Sequence, residues 1–177
     1  MKIAITGHTA GIGQALAEEY RLDGHQVVGL SQREGNNIRN TPKICDQIEP
    51  CDVFVNNAQA GFAQTELLFE MAQRWAGTGK RIIVISTQMT QDPTAFDMSL
   101  DQYRIQKLAL EQAVQQLRNR RLGVKIILVR PGNIATTADK TVPPAADVNN
   151  WARTLLDLWN MAERNGLRIP DISLGPA

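Results

Sequence analysis

Between Lys2 and Gly13 the chain passes from a short apolar run, Ile3-Ala4-Ile5, through Thr6-Gly7-His8-Thr9-Ala10-Gly11, into a pattern of helical period opened by Ile12-Gly13. That order predicts a strand, a tight turn and a helix. Gly7 permits the turn, Gly11 lets backbone approach a bound group, and Gly13 lets helix and sheet pack closely. The free N–H groups and positive dipole end of the helix face the turn, and a diphosphate suits such a place. Glycine spacing alone is a weak signal; its position between a strand and a helix strengthens it.

Apolar runs and helical patterns alternate along the rest of the chain. Strands are expected at residues 26–31, 52–55, 81–87, 124–129 and 168–174. Helices are expected after the glycine turn to Gly24, from Pro42 to about Ile48, around Leu67, Leu68, Met71 and Trp75, from Ser99 to about Arg121, and after Asp147. Ser99 with Gln102 resembles a capping box. The strands are mostly uninterrupted apolar runs, the pattern of a parallel sheet covered on both faces. The expected fold is α/β, a Rossmann-like doubly wound parallel sheet, with residues 1–177 as a single domain. Ligands in such folds sit beyond the carboxyl ends of the strands. Asn56-Asn57-Ala58, Ser86-Thr87 and Pro131-Gly132 fall at those ends.

Composition narrows the function classes. A chain of 177 residues with net charge +1 buries a real core and presents no signal for nucleic acid or a membrane surface. No apolar stretch approaches the length of a membrane span. The first strand starts beside Met1 and leaves no room for a signal peptide, so a cytoplasmic setting is expected. The only cysteines, Cys45 and Cys51, read as small apolar residues rather than a disulfide or a metal site.

Tyr103 and Lys107 are four apart on the longest expected helix and share a face. A free phenol titrates near about 10, and a neighbouring ammonium lowers that value. Such a phenol can exchange a proton with a carbonyl or alcohol. An exposed pair at helical spacing would look the same.

The order Thr6-Gly7-x-x-x-Gly11-Ile12-Gly13, Asn56-Asn57-Ala58, a hydroxyl after the central strand, Tyr103-x-x-x-Lys107 and Pro131-Gly132 resembles the short-chain dehydrogenase/reductase family over nearly the whole chain. The resemblance implies an oxidoreductase that passes a hydride between a nicotinamide and a small carbonyl or secondary alcohol. Tyr103 would be the acid/base, and Lys107 would hold the nicotinamide ribose and lower the Tyr103 pKa. Thr6, Gly7, Thr9, Gly11, Ile12 and Gly13 would form the diphosphate turn. Asn57 and Ala58 would line the ribose, and Pro131, Gly132, Ile134 and Thr136 would orient the nicotinamide. Register favours Thr87 as the carbonyl-binding hydroxyl, while residue type favours Ser86; adjacent strand residues point apart, so at most one faces the substrate. After the second strand stand Ser31-Gln32-Arg33, with no acid before Glu34. NADP(H) is therefore favoured over NAD(H), with Ser31 and Arg33 as phosphate contacts. Asn37-Ile38 resembles the adenine-contacting pair. A homodimer or homotetramer is compatible with Trp75, Leu108, Leu110 and Leu117, which would otherwise face their own sheet.

The sequence also departs from the family. The asparagine that often supports a proton-relay water is missing from 58–80, where Gln64 and Gln73 are the candidate substitutes. Gln59 replaces a glycine. The substrate lid after Thr136 is nearly absent. These departures keep a second function open, a catalytically weak or silent NADP-binding regulatory or interaction protein. His8, in the glycine turn, reads as a solvent-exposed turn residue or as one near phosphate.

Overall fold

The computed structural model describes residues 1–91, 98–136 and 145–176. The chain runs β1 (Lys2–Thr6), α1 (Gly11–Leu22), β2 (Gln26–Leu30), α2 (Thr41–Ile48), β3 (Val53–Asn56), α3 (Ala63–Arg74), β4 (Arg81–Ile85), α4 (Asp101–Asn119), β5 (Lys125–Pro131), β6 (Ile134–Ala135), β7 (Ala146–Asp147), α5 (Val148–Arg164) and β8 (Asp171–Leu174). Among the described residues, six parallel strands form one sheet in the order β2-β1-β3-β4-β5-β8. The chain steps outward from β1 to β2, then returns to the other side of β1 with β3. That reversal is the topological switch point at which such sheets bind ligands, and the glycine turn leaves β1 there.

Alternation along the strands sorts the core into two layers. Ile3 and Ile5 of β1, Val53 and Val55 of β3, and Ile83 and Ile85 of β4 pack against α1 and α5. Ala4, Phe54, Ile82 and Val84 face the other way, toward α2, α3 and α4. Each fully buried side chain of this size contributes roughly 1.5–3 kcal/mol, and both faces are covered. This is the doubly wound sheet expected from the sequence.

Several local expectations change. Helix α4 begins at Asp101 with Leu100 as its N-cap and no side-chain cap, behind a 3-10 turn, Met98–Leu100. The chain enters α4 through that turn, so Ser99 is not at the capping position. Helix α5 is capped from the expected side: Asp147 accepts from the Asn150 backbone N–H at 2.8 Å. Trp75, Leu110 and Leu117 are core residues, as are Trp151 and Trp159, whereas Leu108 is exposed. Three of the four apolar residues considered for subunit contact are thus spent on the protein's own sheet. Strands β6 and β7 pair in a separate small parallel sheet that no periodicity announced. Cys45 and Cys51 are free and buried, and burial pushes the Cys45 thiol up to about 11. No described helix is long and apolar enough to cross a membrane.

Candidate active site

The glycine turn is built by contact as much as by conformation. A Cβ on Gly13 would fall 2.3 Å from the Gly7 carbonyl oxygen and 2.6 Å from Asn57 Nδ2. Gly7 has φ +73, a backbone conformation that other residues rarely adopt. Thr6 fastens this turn to the end of β3. Its hydroxyl accepts from the backbone N–H groups of Asn57 and Ala58, at 3.0 and 3.1 Å, and donates to the Val55 carbonyl at 3.3 Å. Asn57 Nδ2 returns a bond to the Thr6 carbonyl at 2.9 Å. A hydroxyl has one donor and two acceptor sites, so the Thr6 side chain has nothing left for a ligand. It positions the turn. The helix N-terminus stays open: the N-cap of α1, Ala10, makes no side-chain cap bond.

A cavity of about 520 Å³ opens beside the turn, lined by Gly7, Thr9, Ser31, Arg33, Asn37 and Ala58 among others. Ser31 is only 4% exposed. Its Oγ lies 2.9 Å from Thr9 Oγ1 and accepts from the Arg33 backbone N–H at 3.2 Å. These bonds tie the turn after β1 to the 3-10 turn after β2, Gln32–Glu34.

A second cavity of about 280 Å³ is lined by Ile12, Asn57, Ser86, Thr87, Tyr103, Lys107, Pro131, Gly132, Ile134 and Thr136. A Cβ on Gly11 would meet Thr136 at 3.3 Å, so the two loops close on each other here. Gln59 borders both cavities and donates to Gln106 of α4.

Strand alternation separates the two rival hydroxyls. Ser86 Oγ is buried and donates to Glu111 Oε1 at 2.6 Å, turned into α4. Thr87 lies beside the Tyr103 phenol in the second cavity, near enough to favour its ionised form. The Ser86 proton is thus spent on Glu111, and of the two hydroxyls it is Thr87 that stands beside the phenol.

The electrostatics also differ from expectation. Burial raises the Tyr103 pKa, with Thr87 opposing it, and the lysine is not among the causes. Lys107 Nζ lies 5.5 Å from the Tyr103 ring centroid, against the ring face rather than at the hydroxyl. Its N–H groups go to Gln64 Oε1 at 2.8 Å and the Ile85 carbonyl at 2.9 Å. Burial pulls the Lys107 ammonium down from 10.5 to about 7, with Glu111 opposing.

Of the two candidate glutamines, Gln73 is exposed, whereas Gln64 is buried beside Lys107. Besides Lys107 it serves two backbone acceptors, Asn56 O at 2.8 Å and Ile85 O at 3.0 Å. Glu111 and Arg130 were missed. Glu111 Oε2 accepts from Arg130 Nε and Nη2, at 3.0 and 2.7 Å, while Oε1 takes Ser86 and Thr90. Two signals in the sequence pointed there: Glu111 is four residues beyond Lys107, and Arg130 interrupts the apolar run of β5. Residues 92–97, between β4 and α4, lie outside the described residues, as does the trimmed lid at 137–144.

No protein-family model matches the sequence, and neither does any curated protein. Solved structures do. A short-chain dehydrogenase from Streptomyces avermitilis superposes with TM-score 0.75 at 18% identity, covering 98% of this chain and 88% of its own. A short-chain dehydrogenase from Burkholderia cenocepacia, solved in complex with NADP, gives TM-score 0.76 at 16% identity, with 99% and 88% covered. An alcohol dehydrogenase from Thermococcus sibiricus, complexed with 5-hydroxy-NADP, gives 0.71 at 16%, with 98% and 95% covered. From end to end, the chain has the fold of the short-chain dehydrogenase/reductase family.

Proposed function

We propose that this chain is an NADP(H)-dependent oxidoreductase acting on a small carbonyl or secondary alcohol. One observation carries the reading: Tyr103, Thr87 and Lys107 converge in a single cavity at the carboxyl ends of the central strands, directly beside the glycine turn. The neighbours solved with NADP and 5-hydroxy-NADP support a nicotinamide dinucleotide as the guest. The residues fit such a guest. The Gly7–Gly13 contact admits no side chain, and the α1 N-terminus lacks a side-chain cap. The first cavity takes the adenosine half, with Arg33 and Ser31 for the 2′-phosphate and Asn37 near the base. In the second, Asn57, Ile134 and Thr136 hold the nicotinamide side.

The dinucleotide supplies the hydride when bound, and the protein supplies position and the proton. Thr87 donates to the carbonyl oxygen and thereby polarises it. Tyr103 transfers its phenolic proton to that oxygen on reduction and takes it back on oxidation. Lys107 has three donors, of which the structure spends two on protein acceptors; the third is left for a ribose hydroxyl. Thr87→Val is expected to lower turnover about a hundredfold, as for loss of one oxyanion donor, and Ser86→Ala by about threefold or less. Steady-state rates of the two variants check this, and equal losses would reject the assignment of Thr87. Arg33→Ala is expected to weaken NADPH binding about tenfold or more and to spare NADH; an unchanged affinity ratio would remove the NADP preference.

A second function, NADP binding without catalysis, is favoured by one observation: the Tyr103 phenol is raised, not lowered, in the protein alone. Oxidation of NADPH by a panel of aldehydes and ketones separates the two. Turnover with any of them supports the enzyme, and NADPH binding without turnover across the panel supports the binding protein.

A further inference from the structure

His8 stands in the glycine turn, yet it is not part of the cofactor cavity wall. Its ring lies against the backbone of β2: a Cβ on Gly29 would fall 2.3 Å from both Cδ2 and Nε2 of the imidazole. Glycine inside a strand weakens it and marks close approach by another group. Here that group is the His8 ring. The side chain is only 13% exposed, so it is neither a free turn residue nor a cavity residue, and Nε2 lies 3.5 Å from Glu34 Oε2. Nδ1 is buried with no hydrogen-bond partner among the described residues. The tautomer that strands no donor therefore carries its proton on Nε2, toward Glu34.

Glu34 follows Arg33 on the 3-10 turn capped by Ser31. The two neighbours carry opposite charge, and the fold parts them. Arg33 lines the cavity, and Glu34 does not. Glu34 is also the first acidic residue after β2.

We infer that His8 is a cofactor-selecting residue: by holding the Glu34 carboxylate away from the cavity, it leaves Arg33 as the charge that meets a ribose 2′-phosphate. The inference rests on the NADP(H) reading above. A carboxylate released toward the cavity repels a phosphate and accepts from a ribose hydroxyl. Loss of the His8 contact therefore shifts the pocket away from NADPH and leaves NADH unharmed. Gly29 belongs to the same device, because any side chain there displaces the imidazole.

The test is a set of NADPH and NADH dissociation constants, read by nicotinamide fluorescence, for the wild type, His8→Phe, Glu34→Gln and the double variant. His8→Phe keeps a ring against Gly29 and loses the partner for Glu34. It is expected to weaken NADPH about tenfold, roughly the effect of one added like charge at partly screened range, with NADH unchanged or tighter. Adding Glu34→Gln is expected to restore NADPH affinity. Glu34→Gln alone is expected to change NADPH affinity by about twofold or less, because the carboxylate is already held aside; this arm stands even where His8→Phe does not fold. Equal losses for both nucleotides, a loss that the double variant keeps, or a large gain from Glu34→Gln alone would each overturn the inference. A wild type that prefers NADPH while His8→Phe leaves the ratio unchanged refutes the role of His8 only. A wild type without NADPH preference refutes the underlying reading, and this inference with it.

Discussion

Tyr103→Phe is expected to abolish turnover nearly completely, by about three orders of magnitude, while NADPH binding stays within about twofold of wild type. The ring that rests against Lys107 remains, and only the hydroxyl beside Thr87 is lost. Removing a positioned proton donor costs about 10²–10⁴ in rate. The cavity assigned to the adenosine half does not include Tyr103, and the nicotinamide half loses only one hydroxyl from its wall, so nucleotide affinity is largely spared. Initial rates with a carbonyl substrate, set beside a nucleotide titration of the same variant, check both halves. Equal rates for variant and wild type would leave the chain a nucleotide-binding protein. The raised phenol adds a further expectation. In the protein alone the phenol holds its proton at neutral pH, the form that donates to a carbonyl oxygen, so the reduction rate is expected to be flat across neutral pH and to fall only at alkaline pH.

Lys107→Met is expected to raise stability at neutral pH by about 2–3 kcal/mol while destroying activity. The lysine is 3% exposed, and burial pulls its ammonium from 10.5 to about 7. A depression of that size corresponds to roughly 5 kcal/mol against the charged form. Methionine has similar length and no charge, and it strands the Gln64 carbonyl oxygen, a loss of about 1–3 kcal/mol. The pH dependence carries the sign. Below about 7, folded and unfolded chains both hold the proton on Lys107, and its contribution is flat. Between about 7 and 10.5 only the unfolded chain holds it, so wild-type stability rises with pH across that window. The slope contributed is at most about 1.4 kcal/mol per pH unit. Urea unfolding of both proteins across the window, read as their difference, isolates this one group. A difference independent of pH, or a variant less stable than wild type at neutral pH, would show that Lys107 is not destabilised by its burial. Loss of activity together with gain of stability is the usual signature of a strained functional group.

The doubly wound sheet was legible because each strand announced itself as an apolar run and each helix by its period. The glycine turn was legible for a steric reason, since a side chain on Gly13 would strike the Gly7 backbone and Gly7 itself has φ +73. Thr87 against Ser86 was left open by residue type and separated by strand alternation, once Ser86 was seen bonded to Glu111. The Tyr103–Lys107 spacing was read correctly as one face of a helix. Spacing does not say where a four-carbon side chain ends, however, and the ammonium goes to Gln64 and Ile85 rather than to the phenol. Thr6 sits in the expected motif but uses its hydroxyl on Asn57, Ala58 and Val55, a network fixed by the approach of β3, which lies far away in sequence. Glu111 and Arg130 were missed for the same reason, because their partnership exists only after α4 is laid on β5.

A titration of the purified chain with NADPH and with NADH, followed by nicotinamide fluorescence, tests the central claim most directly. Saturable binding of NADPH at one equivalent per chain, with NADH at least about tenfold weaker, is the result predicted from Arg33, Ser31 and the open α1 terminus. Binding of neither nucleotide would contradict the account, because it would make the glycine turn scaffold alone and leave the cavity holding Tyr103, Thr87 and Lys107 without its hydride source.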